Sequence, residues 1–326
     1  MPAWLFYGLV GLFFTTGFTL MQWAAGTYPV GRFYPLHLFI FGTSPYLLAL
    51  IYYLDRYAHT AINRFRPALN TTPEQEMLLR YKLTTIPARS IWYATFIGVG
   101  IGVFGFLVPL DQRMKLYNFA DTAVSIFFYH AFYILSWITL CVFVYHSIHQ
   151  LRLMNIIFTR HTRVNIFHRR PLFGFAWLSA YTAIGEAFLV AGVVFLPDTN
   201  NLSTNAQSIA LAIFLFIAIP FPLVTFLWPL LGIHRLLAAE KEHFLDENGV
   251  TLERTMREIR QRVRSDELAD IEMLHRVLQT VETEDRLLKQ IPTWPWQPEA
   301  LRSVVATLLL PIILRLIQQL IQRFLS

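Results

Sequence analysis

The chain has 326 residues, 55% of them hydrophobic and only 15% charged, and a mean hydropathy of +0.45. An ordinary soluble domain carries about 25% charged residues, so this composition excludes a water-soluble globule and calls for a lipid solvent. The net charge of +6 does not mark a nucleic-acid binder, because the basic residues flank apolar runs while the one long polar segment is acidic.

Apolar runs long enough to cross a hydrocarbon core, about 20 residues each, recur at 4–24, 37–54, 90–110, 122–148, 172–197, 208–235 and 301–325. They predict an all-α protein in four parts. Residues 1–235 form a polytopic transmembrane bundle, 236–290 a cytoplasmic helical segment, 291–300 a Pro/Trp elbow, and 301–326 a C-terminal transmembrane or amphipathic helix. The number of spans is therefore six or seven. The first run lacks a basic leader and exceeds the length of a signal-peptide core, so it reads as a retained helix.

Basic residues resist translocation and collect on the cytoplasmic side. The segment 55–89 holds Arg56, Arg64, Arg66, Arg80, Lys82 and Arg89, and 149–171 holds Arg152, Arg160, Arg163, Arg169 and Arg170. The alternate loops hold only Arg32, then Arg113 and Lys115. The expected topology puts the N-terminus inside, and the C-terminus outside if the seventh helix spans. The setting is the prokaryotic cytoplasmic membrane, with the lipid bilayer as the first partner.

In the third run, Gly98, Gly100, Gly102 and Gly105 contain G-x-x-x-G and G-x-G-x-x-G. A dinucleotide loop must follow a strand in water, so here the glycines serve close helix packing. The fourth run carries His130, the single cysteine Cys141, and His146 and His149 at its inner end. One cysteine permits no intramolecular disulfide and no Cys-based metal site. His146 and His149, with His234 at the inner end of the sixth run, are the candidate ligands for a b-type haem. Ordinary interfacial histidines fit them better, since no matching pair faces them, and no cofactor or metal is expected.

Glu186, in the fifth run, is the one acidic residue well inside a span, and a charge there costs at least about 2.5 kcal/mol unless paired, protonated or hydrated. It lies about 11 residues from the outer end and His130 about 8, within roughly 5 Å in height at 1.5 Å per residue. A relay between them is geometrically possible; a protonated glutamic acid bonded between helices is the plainer alternative. In the sixth run Pro220, Pro222 and Pro229 remove backbone hydrogen bonds at mid-membrane depth. Such broken helices line cavities or are packed kinks.

From 236 to 290 there are nine basic and thirteen acidic residues. Asn248-Gly249 reads as a helix stop, Thr251 as an N-cap, and Leu252, Met256, Ile259 and Val263 as one apolar face. Ser265, Asp266 and Glu267 open a second helix with Leu268, Ile271, Leu274, Leu278 and Val281 along it. The pair predicts a hairpin, exposed or docked on copies of itself or on a protein partner. Three prolines and Trp294 and Trp296 make 291–298 a stiff interfacial elbow. The last run turns two-faced, with Arg315, Gln318, Gln319 and Gln322 along a polar strip.

That ending, IPTWPWQP followed by ALRSVVATLLLPIILRLIQQLIQRFL, resembles uncharacterised prokaryotic multi-spanning membrane proteins. The layout of seven spans, an inside N-terminus and cytoplasmic helices before the last span is similar to that of insect chemoreceptor channels. That likeness implies a final helix that lines a cation pore, and a homo-oligomer is expected because it would explain so polar a strip in the membrane. The expected function is membrane permeation, as an oligomeric ion channel or a small-solute transporter. The candidate residues are Glu186, His130 and the strip of Arg315, Gln318, Gln319 and Gln322. The alternatives are a signalling or scaffolding protein whose 236–290 segment docks a partner, and a b-type haem protein. No paired intramembrane carboxylates, H-E-x-x-H or G-x-S-x-G occurs, so an enzyme is not expected.

Overall fold

The computed structural model describes residues 2–162, 165–167, 169–195, 216, 218–265 and 271–325. Within them the side chains at 194, 195, 265, 271, 315, 316 and 318–325 are left aside. Apart from one isolated bridge between Leu69 and Thr162, the described secondary structure is helical. The main helices are α1 (Ala3–Ala24), α2 (Pro35–Phe65), α3 (Pro73–Thr84), α4 (Ala88–Phe104), α5 (Leu110–Tyr117) and α6 (Ala123–Arg160). They are followed by α7 (Phe173–Phe195), α8 (Phe221–Ser265), α9 (Ile271–Gln290) and α10 (Pro298–Leu325).

Among the described residues, six helical stretches are long and apolar enough to cross a membrane: α1, α2, α3 with α4, α6, α7 and α8. Their outward faces are apolar as well, with Trp4, Phe13, Trp92, Phe96, Phe104 and Phe127 exposed. So many bare aromatic rings would drive aggregation in water, and they mark a membrane-integral protein. α2, α6, α7 and α8 form the centre, where Leu47, Leu54, Phe65, Phe143, Phe158, Phe175, Phe226 and Leu230 are buried together. α1 packs on α2, and α4 packs on α6.

The α4–α6 contact is set by the glycines. A Cβ on Gly98 would lie 2.6 Å from the Ile138 Cα, and one on Gly102 3.2 Å from the Ile134 Cα, whereas Gly100 faces open space. The G-x-x-x-G thus brings two backbones together, as small residues do in lipid.

α3 was not anticipated inside the basic segment 55–89. Its start is chemically explicit: the Thr72 hydroxyl accepts from the Gln75 N–H, the Gln75 side chain accepts from the Thr72 N–H, and Pro73 occupies the first turn. With Leu79 and Leu83 buried, α3 packs against both α2 and α6 and bridges their basic ends.

The expected stop at Asn248-Gly249 is corrected. α8 passes through both residues without interruption, because one glycine costs only about 1 kcal/mol in a helix interior. The alignment of α8 with α9, which pack on each other, offsets that cost. The first arm of the hairpin is therefore the direct continuation of the sixth apolar helix, 45 residues long. The expected opening of the second arm at 265–267 falls at residues 266–270, which lie outside the described residues; α9 is described from Ile271 to Gln290.

The elbow brings α10 back onto α7. The Trp177 indole donates to the Gln297 side chain at 3.1 Å, beside the start of α10. Ala300, Val304 and Leu308 are then buried in the same core as Ala176, Ala180, Ala183 and Ala187 of α7. α10 accordingly runs alongside α7 in the same direction. Its outer face, with Leu309, Leu310, Ile313, Leu314 and Ile317, is exposed and apolar.

Candidate functional site

Glu186 sits on α7 facing α2 and α8. α7 and α2 meet closely here: the Tyr46 hydroxyl donates to the Gly185 carbonyl at 3.0 Å, and the Leu50 side chain fills the space that a side chain on Gly185 would need. Glu186 itself is 3% exposed. Tyr46 and Thr225 of α8 are its polar neighbours. The Thr225 hydroxyl is close enough to act on the carboxyl, but neither carboxyl oxygen has a hydrogen-bond partner of good geometry among the described residues, whereas buried polar groups in proteins are almost always bonded.

The prolines shape the same place. Pro229 lies inside α8, and its missing N–H leaves the Thr225 carbonyl, one turn earlier, without its helical donor. Pro45 lies inside α2 and removes the donor for the Phe41 carbonyl in the same way. The break expected around Pro220 and Pro222 is sharper than that at Pro229. Ile219 and Pro220 form a turn and α8 begins at Phe221, so Pro222 falls in its first turn, where proline is tolerated.

His130 does not join Glu186, which corrects the relay considered from depth alone. Its Nε2 accepts from the Arg113 guanidinium, and its Nδ1–H donates to the Ile126 carbonyl at 2.6 Å. Arg113 also lies over the Phe106 ring, 4.9 Å from its centroid. His130 therefore belongs to the aromatic end of the bundle around α5, with Tyr117, Tyr129 and Tyr133. Burial pushes the Tyr117 phenol up to about 12.

The three haem candidates take separate partners, and this corrects their reading as a ligand set. His146 Nε2–H donates to Asp55 at 2.8 Å, and His149 Nε2–H donates to the Lys82 carbonyl at 3.2 Å. The His234 ring lies flat on Trp294, with centroids 3.9 Å apart, and Trp294 stacks in turn on Trp296. The last stack fastens the elbow to α8, helped by Lys241, whose ammonium donates to the carbonyls of Lys289 and Ile291. The side chains of Arg315, Gln318, Gln319 and Gln322 lie outside the described residues.

Sequence reading missed a polar seam between α2 and α6. Ser44 and Ser136 lie 3.3 Å apart, Thr139 donates to Ser44 at 3.3 Å, and Ser136 donates to the Ile40 carbonyl. At the basic end the Asp55–His146 pair continues the seam. Ser44 and Asp55 are eleven residues apart, about three turns of helix, which keeps them on one helix face. That period was the available signal. Asp55 was overlooked because the second span was ended one residue before it.

Comparison with protein-family models, with curated proteins and with solved structures finds no match.

Proposed function

We propose that the protein is a membrane permeation protein, a small-solute or ion transporter in which Glu186 takes up and releases a proton or a cation. The supporting observation is the unpartnered Glu186 carboxyl, buried between α2, α7 and α8 beside two proline-interrupted helices. An ionisable group held without a partner in an apolar bundle is costly. Its retention is rational where a passing ion or proton supplies the missing contact. α10 packs on the helix that bears Glu186 and so stands beside this path. In an oligomer, its Arg315, Gln318, Gln319 and Gln322 strip would extend the path, and a basic ring would favour anions there.

The test is flux. Protein reconstituted in liposomes carrying an internal pH dye, under an imposed membrane potential, is expected to move protons or an added cation. Glu186→Gln is expected to reduce that movement to the level of empty liposomes. Absence of flux from the unaltered protein under proton and alkali-cation gradients would remove the permeation reading.

A second reading rests on the α8–α9 hairpin, where Val250, Met256, Val263, Met273, Val277 and Leu287 are exposed. In a signalling or scaffolding protein those side chains dock a partner protein. Tagged full-length protein in detergent would then retain a stoichiometric partner that Met256→Glu with Val263→Glu releases.

A further inference from the structure

The junction of α3, α4 and α6 at the basic end of the bundle carries three cations with no acidic partner among the described residues: Lys82, Arg89 and Arg152. The acid nearest in sequence, Glu76, is already taken by Arg66 at 3.3 Å and by Arg80 at 3.1 Å. Several contacts hold the three together. The Lys82 carbonyl accepts from His149, and the Leu83 carbonyl accepts from Gln150 at 3.3 Å. Ser90, next to Arg89, accepts from the Tyr145 hydroxyl at 2.8 Å. The Tyr145 ring stacks on His149, and Arg152 lies one turn further along α6, close enough to act on His149. All three cations therefore stand on residues at or next to those that contact Tyr145 and His149. Arg89 and Lys82 are exposed, as is Arg152.

The surroundings decide what sort of anion fits. Tyr81, Trp92 and Tyr93 next to the cations are exposed, as are Met77 and Leu78 one turn back on α3. Aromatic side chains of this kind belong at the headgroup level of a bilayer. Basic pockets between helix ends, bordered by apolar surface, suit a phosphate that arrives attached to acyl chains.

We propose that this junction is a binding site for an acidic phospholipid. Lys82, Arg89 and Arg152 take the headgroup phosphate, and the Tyr81, Trp92 and Tyr93 surface lies along its acyl chains. Bidentate N–H donation from the two guanidinium groups suits a phosphate better than a zwitterionic headgroup, whose own cation repels the cluster. The site is independent of the role proposed for Glu186.

The experiment is native mass spectrometry of the full-length protein released from detergent with phosphatidylglycerol, cardiolipin or phosphatidylcholine added in turn. Retention of acidic lipid over phosphatidylcholine is expected. It should fall about tenfold or more, given the strength of each cation near a charged surface, in the K82Q/R89Q/R152Q variant. It should stay unchanged in R64Q/R160Q/R170Q, which removes the same charge from the same end. Equal loss in both variants, or equal retention of all three lipids, would overturn the site in favour of general surface charge. Competition by soluble glycerol phosphate at the lipid's own concentration would overturn the lipid in favour of a free phosphate ester. A photo-crosslinking acidic lipid on the unaltered protein gives a second readout that needs no variant. Adducts on residues 81–93 and 145–152 support the site, and adducts spread over all basic segments reject it.

Discussion

Between α2 and α6 a set of polar side chains answer one another. Ser44, Ser136 and Thr139 share hydroxyl contacts at 3.3 Å, and His146 reaches Asp55. On the neighbouring α7–α8 side, Glu186 is as deeply buried and has no partner of good geometry for either oxygen among the described residues. Both regions place polar atoms where lipid and apolar side chains surround them. In the first region the polar atoms are spent on joining two helices, as hydroxyls do in membrane bundles. In the second no described side chain bonds them in good geometry, and we propose that a passing proton or cation does. The contrast separates polar groups that hold two helices together from a buried carboxyl that no described side chain bonds in good geometry.

The largest effect that would sharpen this contrast is on transport. Glu186→Gln should bring flux to background while the purified protein keeps its size-exclusion profile and helix content. A variant that transports normally would reduce Glu186 to a packing residue. Next, Gly98→Val should cost about 2–3 kcal/mol by forcing α4 off α6, since its new Cβ would meet the Ile138 backbone. Gly100→Val should cost close to nothing, and unfolding by increasing detergent denaturant reads both.

Asp55→Ala leaves His146 without its acceptor and is expected to cost about 1–3 kcal/mol, with transport reduced only in proportion to folded protein. If it abolished flux with the fold intact, the seam would join Glu186 as part of the path. Thr139→Val should cost about 0.6 kcal/mol, the usual size of one interhelical hydrogen bond in a membrane. Last, and confined to strongly alkaline solution, is a pH effect on the α5 end. Tyr117 keeps its proton in the folded state up to about 12 but loses it near 10 when unfolded. Its contribution to stability is therefore complete below pH 10 and lost as pH rises towards 12. Phenolate absorbance compared between the protein and Tyr117→Phe measures it.

The six apolar stretches were legible because a membrane demands some 20 apolar residues in a row, a signal that survives any detail of packing. The glycine face of α4 was legible for a similar reason, since little else puts G-x-x-x-G in lipid. What escaped was decided by contact between distant segments. The stop expected at Asn248-Gly249 is a local preference, and the pairing of α8 with α9 overrides it. α2 continues to Phe65 because Ala58, Ala61, Ile62 and Phe65 are buried beyond the apolar run, and that placed Asp55 inside the bundle. Glu186 was visible as an isolated charge. Its neighbours Tyr46, Thr225 and Pro229 could be chosen from among many polar and proline positions only once α2, α7 and α8 were brought together. His130 shows the converse: two groups at equal depth can stand on different faces, and depth is all that a count along a helix supplies.

The most direct test of Glu186 as an exchange site is its infrared signature in the reconstituted protein, isolated by subtracting the Glu186→Gln spectrum. The account predicts a carboxyl signal that changes when the pH or the cation on one side of the membrane is changed, because the group is reached by what crosses. A signal that stays the same under every pH and cation condition the folded protein tolerates would contradict it. Glu186 would then be a sealed structural acid, and the path would have to be sought elsewhere in the bundle.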